Sequence, residues 1–422
     1  VEAPTTLLAA PSVQETLKPG QSGSAPSLAV LPFTNRSSLP EDEVFADGMV
    51  EDVTSALSQG VNVRVLGSMS TAHLRKSATT DLSAVGRQLG VRYLLEGNVR
   101  RVGANLRVAT QLLEAATGEI VWTAKFDRPL TELADLQEEL VTEIAGAFET
   151  QVYSLEMERA LRKPADITAW EAVARSFSAY RKYDAASMQQ AIEEARRAVA
   201  IAPDYAPGHA MLAMTLATFF AAASPDDPAE VQHIRAIAER ALALAPDDAS
   251  VLGSVGIALC YVGYPEEGER HTRRAVRKVP GSGLLHLYQG SACAMFSRLE
   301  AALSHFGMAE RLMRGSHMTW ILKVWQSRTL SEFGRWAEAD AVVDEVISLN
   351  PTYAHGHVFK ALISARLGRD PEARGHIETA RRLGLELTQA EHLYRLAVRT
   401  SPGLEANIAT IRALYAATEP GA

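Results

Sequence analysis

The sequence predicts a small α/β domain, a mixed sheet with an antiparallel meander, followed by an all-α superhelical solenoid. Two observations support this fold class. In the second part of the chain, Ala-rich segments that end in proline recur, and Pro246 and Pro280 are 34 residues apart, the period of a helix–turn–helix repeat. In the first part, short apolar runs with alternating pattern are separated by turn residues, which is typical of strands.

Composition excludes some classes of function. The chain has 422 residues, of which 47% are hydrophobic and 22% charged, as expected for a protein with two or more cores. The net charge of −8 argues against a nucleic-acid-binding surface, because such a surface needs clustered basic residues. No apolar run approaches the ~18 residues of a membrane span. Cys260 and Cys293 occupy nearly equivalent sites of neighbouring repeats, and we expect buried thiols there.

The first elements follow a linker. Residues 1–25 are rich in Ala, Pro, Ser, Gly and Thr, which predicts a flexible linker. An apolar run at 28–31 and an alternating run at 61–66 predict strands, and residues 43–58 carry a helical apolar stripe. A short helix follows over residues 82–89, capped by an aspartate and ended by a glycine.

Three further strands form the predicted meander, over residues 93–100, 106–113 and 120–126, with outward-facing arginines. These arginines are Arg100, Arg101 and Arg107. The α/β domain thus covers residues 26–130, and a connecting helix occupies 131–165.

The solenoid is predicted from a 34-residue frame with small residues near positions 8, 20 and 27 and proline near 32. One unit shows the complete pattern, with Gly256, Gly268, Ala275 and Pro280. This is the pattern of the tetratricopeptide repeat (TPR). Six units follow, together occupying residues 166–387: 172–205, 206–248, 249–282, 283–319, 320–353 and 354–387.

Two insertions interrupt the frame, one of nine residues and one of three residues around Gly315–Met318. Nine extra residues fall between Phe219 and Glu230, where Pro and Asp predict a lengthened loop. After the last unit, residues 388–422 are expected to hold a closing helix pair and a tail. Its apolar contacts would come from Tyr394, Leu396, Ile408, Ile411 and Leu414.

Catalytic patterns are missing from the sequence. There is no Walker loop, no G-x-G-x-x-G after a strand, no H-E-x-x-H and no C-x-x-C. His355 and His357 should point to different faces of one helix, and the other histidines occur singly. The carboxylates Asp47, Glu51 and Asp52 are assigned to a first helical turn, where they complement its dipole. We therefore predict a non-enzymatic chain without cofactor or metal.

The predicted functional surface is the concave groove of the solenoid, which is lined by first-helix positions 2, 5, 9, 12 and 13. Such a groove suits an amphipathic helix or an extended peptide, and Arg328 and Arg366 are expected to read a carboxylate. The alternative is that these side chains fill the superhelix or contact the α/β domain. The groove residues are Tyr180, Tyr183, Met214, Ile257, Tyr261, Leu284, Leu287, Met295, Ile321, Val324, Arg328, His355, Val358 and Arg366.

Four segments carry a resemblance to a known family: PSLAVLPFTNRSS (26–38), FADGMVEDVTSALS (45–58), VGRQLGVRYLLEGNVRR (85–101) and LLEAATGEIVW (112–122). They resemble a bacterial domain related to the TolB amino-terminal domain, which precedes TPR arrays. The resemblance implies an upstream output domain. That domain is either a class III adenylate/guanylate cyclase or the winged-helix domain of regulators similar to the lysine decarboxylase activator.

The sequence thus favours a regulatory, protein-interaction module of bacterial signalling that binds a protein or peptide. Two alternatives stay open, the regulatory carboxy-terminal half of an adenylate cyclase and the sensor part of a transcriptional regulator. A cytoplasmic location is expected, with the periplasmic side of a membrane-anchored regulator as the alternative. Homo-oligomerisation is left open.

Overall fold

A computed structural model gives the arrangement of these elements. The described residues are 25–37, 39–59, 63–72, 74, 81–130, 133–162, 167–182, 185–223, 227–296, 298–313, 319–398 and 403–418. Most of the predicted linker, the start of the predicted strand at 61–66, Tyr183 and the predicted insertion around Gly315–Met318 lie outside them.

The fold class is confirmed: a small α/β domain with a mixed sheet precedes an array of helical hairpins. In chain order, the elements of the first part are β1 (Ser27–Val30), β2 (Thr34–Asn35), α1 (Glu41–Gln59), β3 (Arg64–Leu66), α2 (Leu82–Leu89), β4 (Tyr93–Val102), β5 (Asn105–Glu114), β6 (Ile120–Pro129) and α3 (Leu133–Arg162).

The sheet has the order β3-β1-β4-β5-β6, and β2 also pairs with β4. The β1, β2 and β3 pairings are parallel, whereas β4, β5 and β6 form the predicted antiparallel meander. Local signals place α2 as predicted: Asp81 accepts a hydrogen bond from the Ala84 amide, and Gly90 ends the helix at φ 64°. One face of the sheet is covered by α1 and α3.

Two expectations about charge in this domain are wrong. Helix α1 begins at Glu41, so Asp47, Glu51 and Asp52 lie in its interior and not in its first turn. Arg101 does not simply face solvent, because its guanidinium binds the buried carboxylate of Asp42 at 2.8–3.0 Å. The earlier start of α1 is what brings Asp42 to the sheet.

The solenoid consists of paired helices, a first (inner) and a second helix in each repeat. The first helices are α4 (Ala169–Tyr180), α6 (Ala206–Ala223), α8 (Ala249–Tyr261), α10 (Gly283–Met295), α12 (Thr319–Glu332) and α14 (Ala354–Arg366). The second helices are α5 (Ala185–Ile201), α7 (Pro228–Leu244), α9 (Pro265–Lys278), α11 (Leu299–Leu312), α13 (Trp336–Leu349) and α15 (Asp370–Arg382). Two helices follow, α16 (Leu387–Val398) and α17 (Leu404–Ala416).

The small residues of the repeat frame are explained by close packing within each hairpin. A Cβ atom on Gly256 would lie 2.8 Å from the Gly268 carbonyl oxygen, and one on Gly268 would lie 2.4 Å from the Gly256 oxygen. In the next repeat a Cβ on Gly290 would meet the Phe306 ring at 2.5 Å. Real Cβ atoms do not approach so closely, so positions 8 and 20 must be small where the helices cross.

The frame shifts in the first repeat. Helix α4 starts at Ala169, three residues before the predicted unit, because Thr168 and Glu171 form a capping box there. The Ser176 hydroxyl donates to the Ala191 carbonyl at 2.6 Å, as Ser327 does to Ala339 at 3.0 Å in the fifth repeat. Ser176 is therefore the position-8 residue of this repeat, and it lies 15 residues before its acceptor, compared with 12 in the fifth repeat.

The predicted loop insertion of the second repeat is only partly correct. The extra residues mainly lengthen the first helix, since α6 continues to Ala223 and α7 begins at Pro228. The apolar run around Phe219 and Phe220 is compatible with a longer helix, and Phe220 is buried.

Helix α3 belongs to both parts of the molecule. Its middle packs on the sheet through Ile144 and Phe148, and its Glu156 accepts a hydrogen bond from the Tyr93 hydroxyl at 2.6 Å. Farther along, Met157 and Ala160 join the core of the solenoid. The connecting helix is therefore a packed element of both cores.

Candidate functional site

The predicted groove residues lie on the first helices, and six of them line one common cleft. They are Tyr180, Ile257, Tyr261, Leu284, Leu287 and Ile321. The cleft encloses about 350 Å³, open solvent at its mouth included. That these residues meet a partner remains a prediction.

The cleft shows that the solenoid curls tightly. Tyr180 of the first repeat and Ile321 of the fifth line the same cleft, together with residues of α8 and α10. The Tyr261 ring of the third repeat lies 6.4 Å from the Trp325 ring of the fifth. The hollow of the superhelix is therefore narrower here than an open groove.

Sequence reasoning missed five lining residues, and each has a signal in the sequence. Phe177 and Arg181 lie within one turn of Tyr180, Tyr288 and Ser291 within one turn of Leu287, and Trp325 is four residues after Ile321. Residues three and four apart share one face of a helix. Extending each predicted position by one turn would have found them all.

Several predicted groove residues are core residues instead. Met214 is 0% exposed and Val358 is 1% exposed, and both belong to the hydrophobic cores between helices. Val324 is also buried, and Met295 is partly buried against the same packing without lining the cleft. His355 is buried with its ring 5.6 Å from the Tyr353 ring. At these positions the side chains pack in the interior of the superhelix, which is the alternative that the sequence left open.

The two arginines expected to read a carboxylate behave differently. Arg366 lies 5.6 Å from the Trp336 ring, and its Nη2 donates to the Asn407 side chain at 2.6 Å, so it is engaged within the chain. Arg328 lies 4.5 Å from the Trp325 ring. Its side chain is buried, and neither its Nε nor its Nη2 has a hydrogen-bond partner among the described residues.

The region around Arg328 contains a second group with altered ionisation. Burial raises the pKa of the Glu332 carboxyl to about 7, against the opposing effect of Arg328. Burial also raises the pKa of the Tyr394 hydroxyl on α16, and both Glu332 and Arg328 act on it. These charged groups therefore share a weakly hydrated space beneath α16.

The histidines are not all single, which corrects the sequence analysis. His286 and His305 face each other with their Nδ1 atoms 3.0 Å apart, and His357 and His376 do the same at 3.0 Å. Nε2 of His286 lies 3.0 Å from the carbonyl of Pro280, and a carbonyl only accepts, so this nitrogen must donate. Each pair joins the two helices of one repeat.

In the part of the chain that the structure describes, no side chains are arranged as ligands for metal or redox chemistry. No group of three or more His, Cys, Asp or Glu side chains is placed there to hold a metal ion. Cys260 and Cys293 are free and buried, and burial raises the pKa of the Cys260 thiol to about 12, which keeps it protonated. Among the described helices, none combines the length and apolarity needed to cross a bilayer.

Comparison of sequences relates two stretches of the chain to known proteins. Residues 24–167 match the model of the second domain of HilA/YgeH-like transcriptional regulators. A 213-residue stretch is 35% identical to "Putative adenylate cyclase 3" of Rhizobium meliloti (strain 1021), covering 49% of this chain. The matched stretch covers 36% of that relative's length, so most of the relative lies outside the match.

Comparison of structures finds partial likenesses. MamA is 17% identical with a TM-score of 0.32, covering 37% of this chain and 90% of MamA. YrrB, described as a TPR protein with an unusual peptide-binding site, is 17% identical with a TM-score of 0.31, covering 48% of this chain and 97% of YrrB. Lipoprotein GNA1162 from Neisseria meningitidis is 16% identical with a TM-score of 0.23, covering 28% and 96% of the two chains.

Proposed function

We propose that this chain is a non-catalytic regulatory and protein-interaction module of a bacterial signalling protein. The observation that carries the proposal is the cleft, where apolar and aromatic side chains of four first helices converge on a single concave surface. Large aromatic residues in a desolvated concavity are the usual anchor sites of protein interfaces. Among the described residues, no group of three or more His, Cys, Asp or Glu side chains is placed to hold a metal ion.

The occupant suited to this cleft is the apolar side of a peptide or helix from a protein partner. Tyr261 and Trp325 supply broad, stiff rings that gain contact area at small cost in side-chain entropy. Arg181, whose guanidinium lies 5.7 Å from the Phe177 ring and donates to the Met157 sulfur at 3.2 Å, adds a cation to the lining of the cleft. A partner with apolar anchors and an acidic flank would match this pattern.

The test compares partner capture by the native protein with capture by two matched variants. Tyr261→Ala removes a ring from the cleft, whereas Leu349→Ala removes an apolar side chain that is 54% exposed at the end of α13. We expect Tyr261→Ala to lose at least tenfold in affinity for the co-purified partner and Leu349→Ala to be unchanged, measured by binding of the purified pair. Equal capture by both folded variants would reject the cleft as the binding site.

A second candidate function is favoured by the sequence comparison. The identity to a relative named as a putative adenylate cyclase supports a role as the regulatory part of such an enzyme, with its catalytic domain outside this chain. The match to a domain of transcriptional regulators supports an output in transcription instead. The reading frame upstream of Val1 in the genome tests the two: a cyclase domain there would support the first, a winged helix the second, and neither would reject both.

The remaining assignments are proposals of the same kind. Boundaries at 26–130, 131–165, 166–387 and 388–422 separate the TolB-like domain, the connecting helix, the solenoid and the closing region. A cytoplasmic position suits both nucleotide cyclisation and transcription, and a periplasmic position behind a membrane anchor is the competing one. Protease added to intact cells distinguishes them, since only an exported domain would be cleaved.

A further inference from the structure

Helix α16 does more than cover the end of the solenoid. The partner helix α17 packs on α14 and α15 of the last repeat, as expected of a cap. Helix α16 contacts α14 and α17, and it also contacts α6, the first helix of the second repeat. Because α6 and α14 belong to the inner layer four repeats apart, a helix touching both must cross the hollow of the superhelix.

Tyr394 anchors this crossing helix. Its side chain is 2% exposed, and its ring lies 6.2 Å from the Phe359 ring of α14. The Tyr394 hydroxyl accepts a hydrogen bond from the Asn407 side chain at 2.6 Å, and Asn407 in turn accepts one from Arg366 at 2.6 Å. A bidentate ion pair of Arg412 with Glu391, at 2.6 and 2.7 Å, joins α17 to α16.

The packing beneath α16 leaves hydrogen-bonding groups of one side chain unsatisfied. Arg328 is 8% exposed, yet its Nε and Nη2 have no hydrogen-bond partner within the described part of the chain. Buried N–H groups without an acceptor lose hydration and gain no hydrogen bond in exchange, although the cation still faces the Trp325 ring and acts on Glu332. Trp325 also lines the cleft, so the surface beneath α16 is continuous with the cleft.

We propose that α16 is an internal occupant of the hollow and that the partner is an amphipathic helix that replaces it. The replacing helix would carry an aromatic residue in the place of Tyr394 and a carboxylate that pairs with Arg328. The proposal rests on the proposed function, because it names the class of partner for the same concave surface. Partner binding is thereby coupled to release of α16.

The physical basis is a competition between a tethered helix and a free one. A tethered helix acts at an effective concentration in the millimolar range, so a free helix competes only when it binds better or when the tethered one is weakened. A carboxylate opposite Arg328 gives the free helix that advantage, since charge-assisted hydrogen bonds are the stronger ones.

The experiment uses the full chain and a fluorescent peptide with the sequence of residues 387–398. Peptide affinity is measured by anisotropy for the native protein, for Tyr394→Ala and for the milder Tyr394→Phe, which keeps the ring and loses the hydroxyl. We expect at least tenfold tighter binding to Tyr394→Ala than to the native protein, with Tyr394→Phe between them. Equal peptide affinity for all three proteins would overturn the proposal.

Hydrogen exchange supplies an independent readout for the Arg328 part. In Arg328→Met the two unsatisfied buried N–H groups are gone, so α16 should close more firmly and its amides should exchange at least threefold more slowly than in the native protein. Faster exchange in this variant would show that Arg328 holds α16 in place, which contradicts the proposal. Neither measurement involves a partner protein. If Tyr261→Ala keeps partner capture while the peptide result holds, the proposed function fails and the α16 inference stands.

Discussion

The contact between α3 and the solenoid can be tested with one methyl group. A Cβ atom on Gly146 of α3 would lie 2.3 Å from the carbonyl oxygen of Gly281, in the turn that precedes α10. Real Cβ atoms keep at least 3.0 Å from such atoms, so helix and turn would have to separate by roughly 0.7 Å or more. Gly146→Ala therefore disturbs the place where the connecting helix meets a helix of the cleft.

The expected magnitude follows from a matched control. Gly307 lies in the interior of α11, and a Cβ atom there would meet nothing within 4 Å. Gly307→Ala should stabilise the protein by up to about 1 kcal/mol through helix propensity. Gly146→Ala gains the same propensity but adds an overpacking cost of about 1–3 kcal/mol. The free energies of unfolding of the two variants should thus differ by about 1–3 kcal/mol.

The assay is urea unfolding of the native protein and both variants, followed by circular dichroism. Because a chain with two cores need not unfold in one step, the comparison is made on the transition that each variant shifts. We expect a lower midpoint for Gly146→Ala than for Gly307→Ala. Equal midpoints, with equal slopes, would refute the close contact of α3 with the turn at Gly281.

Two further predictions concern charge. Arg101→Ala leaves the Asp42 carboxylate, which is 2% exposed, without its guanidinium donor and should destabilise the protein by about 2 kcal/mol in urea unfolding. Arg107→Ala, whose partner Asp127 is 39% exposed, should cost under about 1 kcal/mol. Equal losses in the two variants would contradict the assignment. Burial lowers the pKa of His286 to about 4, with smaller contributions from His305 and Arg311. Because the same residue in the unfolded chain takes up its proton near the ordinary value of 6.5, acidification below that pH favours the unfolded state. The free energy of unfolding should therefore be highest above pH 6.5 and should fall by up to about 3 kcal/mol as the pH approaches 4. In His286→Gln the urea midpoint should fall less on acidification than in the native protein. An equal fall in both proteins would contradict the assignment of this pH dependence to His286.

The repeat architecture could be predicted because its causes are local. Small residues at fixed spacing mark where two helices cross, and the contact between Gly256 and Gly268 shows why nothing larger fits. Prolines and glycines mark where helices stop. The meander was predictable for the same reason, since alternation along each strand records one buried face.

The shape of the cleft and the course of α16 could not be predicted, because both depend on accumulated rotation between repeats. A small change per repeat decides whether Tyr180 and Ile321 line one cleft or lie far apart, and no single residue records it. The same holds for Met214, whose helical position suits the groove but whose side chain is enclosed by neighbouring helices. The partner of Arg101 was missed because the start of α1 was placed too late.

We propose that the partner binds the concave surface of the solenoid and not the outer one. The most direct measurement is photo-crosslinking in cells from a benzophenone amino acid placed at Tyr261, compared with the same group at Leu349. We expect a discrete crosslinked protein from the Tyr261 position that is missing from the Leu349 position. The same crosslinked protein from both positions, or one from Leu349 alone, would contradict it.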